Sequence, residues 1–168
     1  CFVELLAWRC FFCALVFVCV KRRCIDVGSA GGSLTTGLVW QTGRFPAAVT
    51  QRSTANRIST YGASDMNMTY NDWEFAGTPY DNPAHYIDRS PLTWVKNVNT
   101  PLLIVHSEND LRCPIGQAEE LFTALRKLGK TTEFVRFPNE SHGLSRAGKP
   151  AHRVERLERI CGWFDRYL

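Results

Sequence analysis

The strongest constraint on the fold is the alternation, from residue 24 onward, of short apolar segments with longer amphipathic ones. The clearest apolar segment, Leu102–His106, follows a proline and is apolar at nearly every position, as in a strand that is covered on both faces. The segment after it repeats apolar residues at spacings of three and four up to Gly129, which is typical of an amphipathic helix with a glycine stop. This alternation predicts an α/β fold built on a parallel sheet.

The pattern predicts particular strands and one long terminal helix. The predicted strands are Ile25–Val27, Ala47–Thr50, Leu102–His106 and Glu133–Phe137. We expect the third strand to be central because it has no polar face. The last helix is predicted to turn one apolar face toward the sheet, formed by Val154, Leu157, Ile160, Trp163, Phe164 and Leu168. Between Gly62 and Val98 the sequence has little periodicity, and we predict an irregular insertion or lid-forming excursion there.

Composition narrows the classes of protein that this chain can belong to. Its 168 residues suffice for one domain, and the net charge of +4 comes from scattered arginines rather than a basic stripe, so we expect no nucleic-acid partner. Seven cysteines, an odd number with five of them before residue 25, do not suit a secreted disulfide framework. We therefore expect a cytoplasmic protein. The sequence contains no dinucleotide, P-loop or HExxH motif, so we predict no cofactor and no metal.

Residues 1–21 form an atypical apolar leader ahead of the domain that we assign to residues 22–168. The unbroken apolar run Phe11–Val20 is too short to span a bilayer, and the basic residues Lys21–Arg23 follow it, whereas a signal peptide carries them before it. We interpret the leader as a buried element of the domain or as a non-native segment, altered by truncation or a mistaken gene model. Membrane association through it is the open alternative, and the opening Cys1 favours an incomplete chain.

A nucleophile elbow is predicted at Ser29, where a strand turns through small residues into a helix. Such a turn lifts the serine hydroxyl clear of the backbone and turns the following amide, here that of Ala30, toward a developing oxyanion. The usual pattern is G-x-S-x-G, and Val27 stands at the position of the first glycine, which predicts a looser turn. A plain tight turn without catalysis is the alternative reading.

Two further polar loops follow predicted strands. Asp110, after the third strand, can orient an imidazole and stabilise its charged form, while Arg112 tethers the loop. Alternatively, Asp110 caps the helix that starts at Pro114 or pairs with Arg112 for structural reasons. His142 follows the fourth strand and can act as a general base toward Ser29, or it is an ordinary surface residue. The order Ser, Asp, His, each at the carboxyl end of a strand, is that of α/β-hydrolases.

The stretch from about Arg22 to Leu168 resembles the C-terminal part of the α/β-hydrolase catalytic domain of prolyl oligopeptidase family serine peptidases, closest to the acylaminoacyl-peptidase and dipeptidyl-aminopeptidase-like branch. The matching stretches are Gly28–Gly32, Thr42–Phe45, Ala47–Arg52, Tyr61–Asp65, Gly77–Pro79, Ser90–Leu92, Pro101–Pro114, Phe134–Pro138 and Ser141–Gly143. The resemblance implies Ser29 as the nucleophile, Asp110 as the orienting acid and His142 as the general base. It also implies the Ala30 amide as one oxyanion donor.

The resemblance further implies what this chain acts on. The expected activity is hydrolysis of peptide or acylaminoacyl bonds through an acyl-enzyme, with peptides or acylated amino acids as substrates. The family's second oxyanion donor, a tyrosine hydroxyl, and its first strands and β-propeller belong to segments without a counterpart here. A partial sheet has an exposed edge strand, and a homo-oligomer that covers this edge is therefore one alternative. The alternatives are a truncated, catalytically silent binding or structural module, and an esterase of small acyl esters.

Overall fold

The computed structural model describes residues 24–66 and 68–168, so the predicted leader lies outside the described residues. Its strands are β1 (Cys24–Gly28), β2 (Ala47–Gln51), β3 (Leu102–Ser107) and β4 (Thr132–Phe137). Its α-helices are α1 (Ala30–Gln41), α2 (Arg57–Ala63), α3 (Met68–Phe75), α4 (Pro83–Asp88), α5 (Gly116–Lys127), α6 (Leu144–Ala147) and α7 (Pro150–Tyr167). A 3₁₀-helix spans Pro91–Asn97. All four predicted strands are confirmed, each slightly longer than predicted.

The four strands form one parallel sheet in the order β1-β2-β3-β4. All six residues of β3 are buried, and β3 lies between β2 and β4, as its unbroken apolar run predicts. Because every strand runs in the same direction, their carboxyl ends meet at one edge of the sheet. The loops that leave this edge carry all three residues of the predicted triad.

Helices cover both faces of the sheet. On one face α1 and α5 pack against alternate strand residues, and the buried residues of this cluster include Ile25, Val27, Val39, Leu102, Ile104, Leu121 and Leu125. On the other face α6 and α7 cover the remaining set, which includes Val49, Leu103, Val105, Leu144, Ile160 and Trp163. Because the side chains of a strand alternate between the two faces, helices on both faces are needed to exclude water from the apolar residues of the sheet. Among the described residues, no helix is long and apolar enough to cross a membrane.

The packing of α7 differs from the prediction. Val154 and Leu157 are 55% and 53% exposed, although they were expected to face the sheet. Ile160, Trp163 and Phe164 contact the sheet as predicted. Near Val154 and Leu157 the contact is polar instead, because the Arg156 guanidinium donates to Gln51 Oε1 at 2.7 Å.

The excursion between β2 and β3 is also more regular than predicted. Between Gly62 and Val98 it contains the end of α2, followed by α3, α4 and the 3₁₀-helix. The rings of Tyr61, Phe75 and Tyr86 form a small core of their own there, with the Phe75 and Tyr86 rings stacked at 4.6 Å between centroids. Short helices of six to eight residues give little periodic signal, so sequence pattern alone did not reveal them.

Helix α1 passes so close to β2 that glycine is required at one point. A Cβ atom at Gly32 would lie 2.6 Å from the Gln51 carbonyl oxygen and 2.7 Å from Ser53 Cβ. Val27, in contrast, is buried in the core beside the helix, and α1 still begins at Ala30 directly after Ser29. The predicted loosening of the turn by Val27 is therefore wrong, because its side chain points into the apolar layer rather than between helix and strand.

Two glycines of α1 offer a matched test of this packing. We expect Gly32→Ala to lower the free energy of unfolding by about 1–3 kcal/mol, because a backbone carbonyl opposes the new methyl group. A Cβ atom at Gly37 would have no atom within 4 Å, so Gly37→Ala should raise the free energy of unfolding by roughly 0.5–1 kcal/mol through helix propensity. Urea unfolding followed by circular dichroism measures both. Equal effects of the two substitutions would contradict this packing.

Candidate active site

Three loops bring the predicted site residues to the carboxyl edge of the sheet. Ser29 follows β1 directly, Asp110 lies three residues beyond β3, and His142 lies five residues beyond β4. In parallel sheets covered by helices, ligands and reacting groups gather at this edge. The structure places Ser29, Asp110 and His142 in hydrogen-bond contact with one another through the imidazole.

Ser29 occupies a strained turn between β1 and α1. Its φ of 62° is in the left-handed region that residues with a side chain rarely adopt, and its amide donates to the Gln51 carbonyl at 3.0 Å. Because α1 begins at the next residue, the Ala30 amide has no acceptor within the helix. The turn thus presents a hydroxyl and an unsatisfied amide side by side at the positive end of a helix.

The imidazole of His142 bridges the other two residues. Its Nε2 lies 2.9 Å from Ser29 Oγ, and its Nδ1 lies 2.7 Å from Asp110 Oδ2. An ionised carboxylate only accepts, so Nδ1 carries the proton that donates to Asp110, and Nε2 is left to accept from the serine hydroxyl. This tautomer is the one in which a base can remove the hydroxyl proton.

Asp110 contacts the imidazole with one oxygen and the backbone of its own loop with the other. It does not cap α5, which begins without a side-chain cap, and the Arg112 guanidinium pairs with Asp65, so the structural alternatives predicted for Asp110 are wrong. Oδ2 accepts from His142, while Oδ1 accepts from the amides of Arg112 at 3.0 Å and Cys113 at 2.8 Å. The residue is only 2% exposed. The pair of Arg112 with Asp65, with 2.5 Å between Nε and Oδ1, attaches the loop to the end of α2. Asp110 can therefore orient the imidazole of His142 with Oδ2 while Oδ1 stabilises the turn at Arg112 and Cys113.

His106 lies behind Asp110 and is buried. Its Nε2 donates to the Cys113 carbonyl at 2.7 Å, and burial lowers the pKa of its imidazole. The ring is therefore neutral near pH 7, and its distance of 3.7 Å to Asp110 Oδ2 is a contact and not an ion pair. Burial also raises the pKa of the neighbouring Cys113 thiol to about 11, so this thiol is not a nucleophile at neutral pH.

Two residues that contact the site, Arg52 and Glu140, were not predicted as site residues from the sequence. The Arg52 guanidinium donates from Nη1 to the His142 carbonyl at 3.0 Å, and the Glu140 carbonyl accepts from the Asn109 amide at 2.9 Å. Glu140 also accepts through Oε1 from His152 Nδ1 at 2.7 Å. Arg52 follows β2 at the carboxyl edge, and that position was the available clue. Nothing in a single sequence indicates the contacts of Glu140.

No metal site accompanies these groups in the part of the chain that the structure describes. Within residues 24–66 and 68–168, no three His, Cys, Asp or Glu side chains are arranged to hold a metal ion. The chemistry available at the edge is that of a serine, an imidazole, a carboxylate and a backbone amide.

Comparisons with known proteins place this chain among peptidases. The model of the prolyl oligopeptidase family matches residues 1–168. The uncharacterized peptidase YuxL of Bacillus subtilis is 52% identical over 148 residues, covering 88% of this chain and 22% of that protein. The acylamino-acid-releasing enzyme of Arabidopsis thaliana is 31% identical over 153 residues, covering 83% of this chain and 19% of that enzyme.

A solved structure extends the likeness to the fold. An acylaminoacyl peptidase in complex with Z-Gly-Gly-Phe-chloromethyl ketone superposes with a TM-score of 0.82 at 32% identity, covering 88% of this chain and 24% of that one. The described sheet and its helices thus have the α/β-hydrolase fold of these peptidases. This chain spans about a fifth of the length of the curated relatives that it matches.

The buried imidazole of His106 predicts a pH dependence of stability. Because its pKa is lower in the folded state, the unfolded state binds a proton first, so the contribution is complete above about pH 6.5 and is lost as the pH falls. One such group changes the unfolding free energy by at most about 1.4 kcal/mol per pH unit.

We expect His106→Gln, which keeps a donor for the Cys113 carbonyl, to lose less stability than the wild type between pH 8 and pH 5.5. Urea unfolding at the two pH values measures the difference. Identical losses in both proteins would show that His106 is not the titrating group.

Proposed function

The chain belongs to the prolyl oligopeptidase family, and from this premise we propose that it is a serine peptidase that hydrolyses peptide or acylaminoacyl bonds through an acyl-enzyme. The observation that carries the proposal is the pair of hydrogen bonds at 2.9 Å and 2.7 Å that joins Ser29 Oγ, the His142 ring and Asp110 Oδ2. The names of its relatives, a peptidase and an acylamino-acid-releasing enzyme, support the same class of substrate.

Acylation begins when His142 Nε2 takes the proton of Ser29 as Oγ attacks the carbonyl carbon of the scissile bond. The carbonyl oxygen becomes an oxyanion, which the Ala30 amide stabilises at the positive end of α1. The imidazolium then returns its proton to the leaving amine, the carbon–nitrogen bond breaks, and an ester remains on Ser29. Asp110 keeps the ring in the required tautomer and stabilises its charge.

Deacylation repeats these steps with water. His142 removes a proton from a water molecule, the resulting hydroxide attacks the ester, and a second oxyanion forms in the same position. Collapse of this intermediate releases the acid and returns the proton to Ser29 Oγ. Since the hydrogen bonds that join Ser29, His142 and Asp110 are already formed, the geometry favours an active enzyme over a silent module with the same fold.

Covalent labelling tests the nucleophile. A fluorophosphonate probe should label the wild-type chain, and Ser29→Ala should abolish the label because no other hydroxyl contacts His142 Nε2 among the described residues. Ser33→Ala is the matched control, since Ser33 also follows a glycine in this segment but its Oγ donates to the Thr54 carbonyl. The assignment fails if the label survives in Ser29→Ala.

Turnover tests the base and the orienting acid. We expect hydrolysis of an aminoacyl-p-nitroanilide, with kcat lower by roughly 10³- to 10⁴-fold in Asp110→Asn, because the amide stabilises the wrong tautomer. His142→Ala should reduce kcat at least as strongly.

A matched ester substrate separates peptidase from esterase activity, since a good leaving group needs less protonation by His142. Hydrolysis of the ester alone would replace the proposed peptidase by an esterase. Turnover of the anilide that survives His142→Ala would refute the mechanism.

A further inference from the structure

Arg52 lies directly after β2, at the same edge of the sheet as the three residues above. Its backbone is left-handed, with φ at 39°, and its amide donates to the Val105 carbonyl at 2.9 Å, which continues the β2–β3 pairing beyond the strands. The guanidinium passes close to the elbow, because a Cβ atom at Gly28 would lie 2.9 Å from Arg52 Nε. The turn after β2 therefore aims a cationic side chain toward the loop after β4.

The side chain ends on the segment that carries the imidazole. Arg52 Nη1 donates to the His142 carbonyl at 3.0 Å and to Ser145 Oγ at 2.9 Å. We propose that Arg52 is a positioning residue, which holds the backbone of His142 so that its ring reaches Ser29 and Asp110 together. This inference rests on the proposed function of that site.

The segment of residues 141–148 has few other attachments to the sheet. In the described chain, its backbone-to-backbone hydrogen bonds all join residues within the segment, such as Leu144 N to Ser141 O at 3.1 Å. The Leu144 side chain is buried and anchors the middle of the segment in the apolar layer. At His142 itself, the backbone carbonyl is held by Arg52. Loss of that bond would leave the ring to be positioned by its own two contacts.

The surroundings of Arg52 do not suit a merely structural role. No carboxylate of a described residue lies within ion-pair distance of it, its buried Nε has no acceptor, and burial lowers the pKa of the guanidinium. A half-buried charge without a carboxylate partner and a left-handed backbone are both unfavourable. The hydrogen bonds to the loop of His142 are the compensating contacts that the structure shows.

Kinetics of two Arg52 variants test the inference. Arg52→Gln removes the charge, and Arg52→Gly also relieves the left-handed backbone, which keeps that variant folded if the glutamine one is unstable. We expect kcat on the anilide to fall by about 10²-fold in both, as for small misplacements of a reacting group, with KM nearly unchanged. Arg52→Lys, which keeps a cationic donor, should recover part of the loss.

A second arginine provides the matched control. Arg156 is also half-buried with an unpaired Nε, and both arginines line one cavity of about 10 Å³. Its Nη1 donates to Gln51 Oε1, and no hydrogen bond joins it to the described loop of His142. Arg156→Gln should therefore keep kcat near the wild-type value. An Arg52→Gln or Arg52→Gly enzyme with wild-type kcat, or an equal loss in Arg156→Gln, would overturn the inference.

A readout that needs no turnover separates this inference from the proposed function. The proton on His142 Nδ1, hydrogen-bonded to Asp110, should give a low-field proton NMR signal in the wild type that is lost in Asp110→Asn. The signal should shift or broaden in Arg52→Gly and persist in Arg156→Gln. If it is unchanged in Arg52→Gly, or absent from the wild type, Arg52 does not position the ring. If the wild type shows these signals but does not hydrolyse the anilide, the proposed peptidase activity is refuted and the positioning role of Arg52 is not.

Discussion

The parallel register of four strands is the constraint on which the rest of the structure depends. Pairing of Gly28 with Gln51 and of Ser107 with Phe137 brings the ends of distant strands level, so that residues 113 positions apart in sequence can share one imidazole. Antiparallel pairing of any one strand would send its loop to the opposite edge. Burial of the apolar residues on both faces of the sheet supplies the driving force for this register, because a slip by one residue would turn each apolar set toward the wrong layer.

Backbone strain is concentrated at the same edge. Of the four described residues other than glycine with positive φ, Ser29 and Arg52 directly follow strands β1 and β2, and Asn139 lies two residues beyond β4. Such conformations persist only where the surrounding structure determines them. Here the two apolar layers hold the strands rigidly, so each chain segment can turn sharply as it leaves the sheet. The buried groups Asp110 and His106 are at this edge for the same reason, since fixed amides and carbonyls replace the water that they lose.

Sequence alone predicted the strands, the sheet type and the three residues that meet, because each depends on local pattern and on a general property of parallel sheets. The exposure of Val154 and Leu157 on α7 was not predictable, since the polar contact in that part of the helix joins Arg156 to Gln51, which are 105 residues apart. Short helices between Gly62 and Val98 bury only a few rings and leave no periodic pattern. Arg52 was not predicted as a site residue, although it ends the matching stretch Ala47–Arg52, because only the distance to the His142 carbonyl reveals what its side chain contacts.

The contacts around the imidazole divide the edge into two parts. Beyond β3 and β4 the two loops remain joined, because the Glu108 amide donates to the Phe137 carbonyl and the Asn109 amide to that of Glu140. The loops of Asp110 and His142 are thus one unit, whereas Ser29 belongs to the turn between β1 and α1, which is fixed to the end of β2. The hydrogen bond from Ser29 to the ring crosses the boundary between these parts. The Arg52 side chain, from the residue after β2, crosses it to the His142 carbonyl, so two neighbouring hydrogen bonds join the parts, one at the ring and one at the backbone of His142.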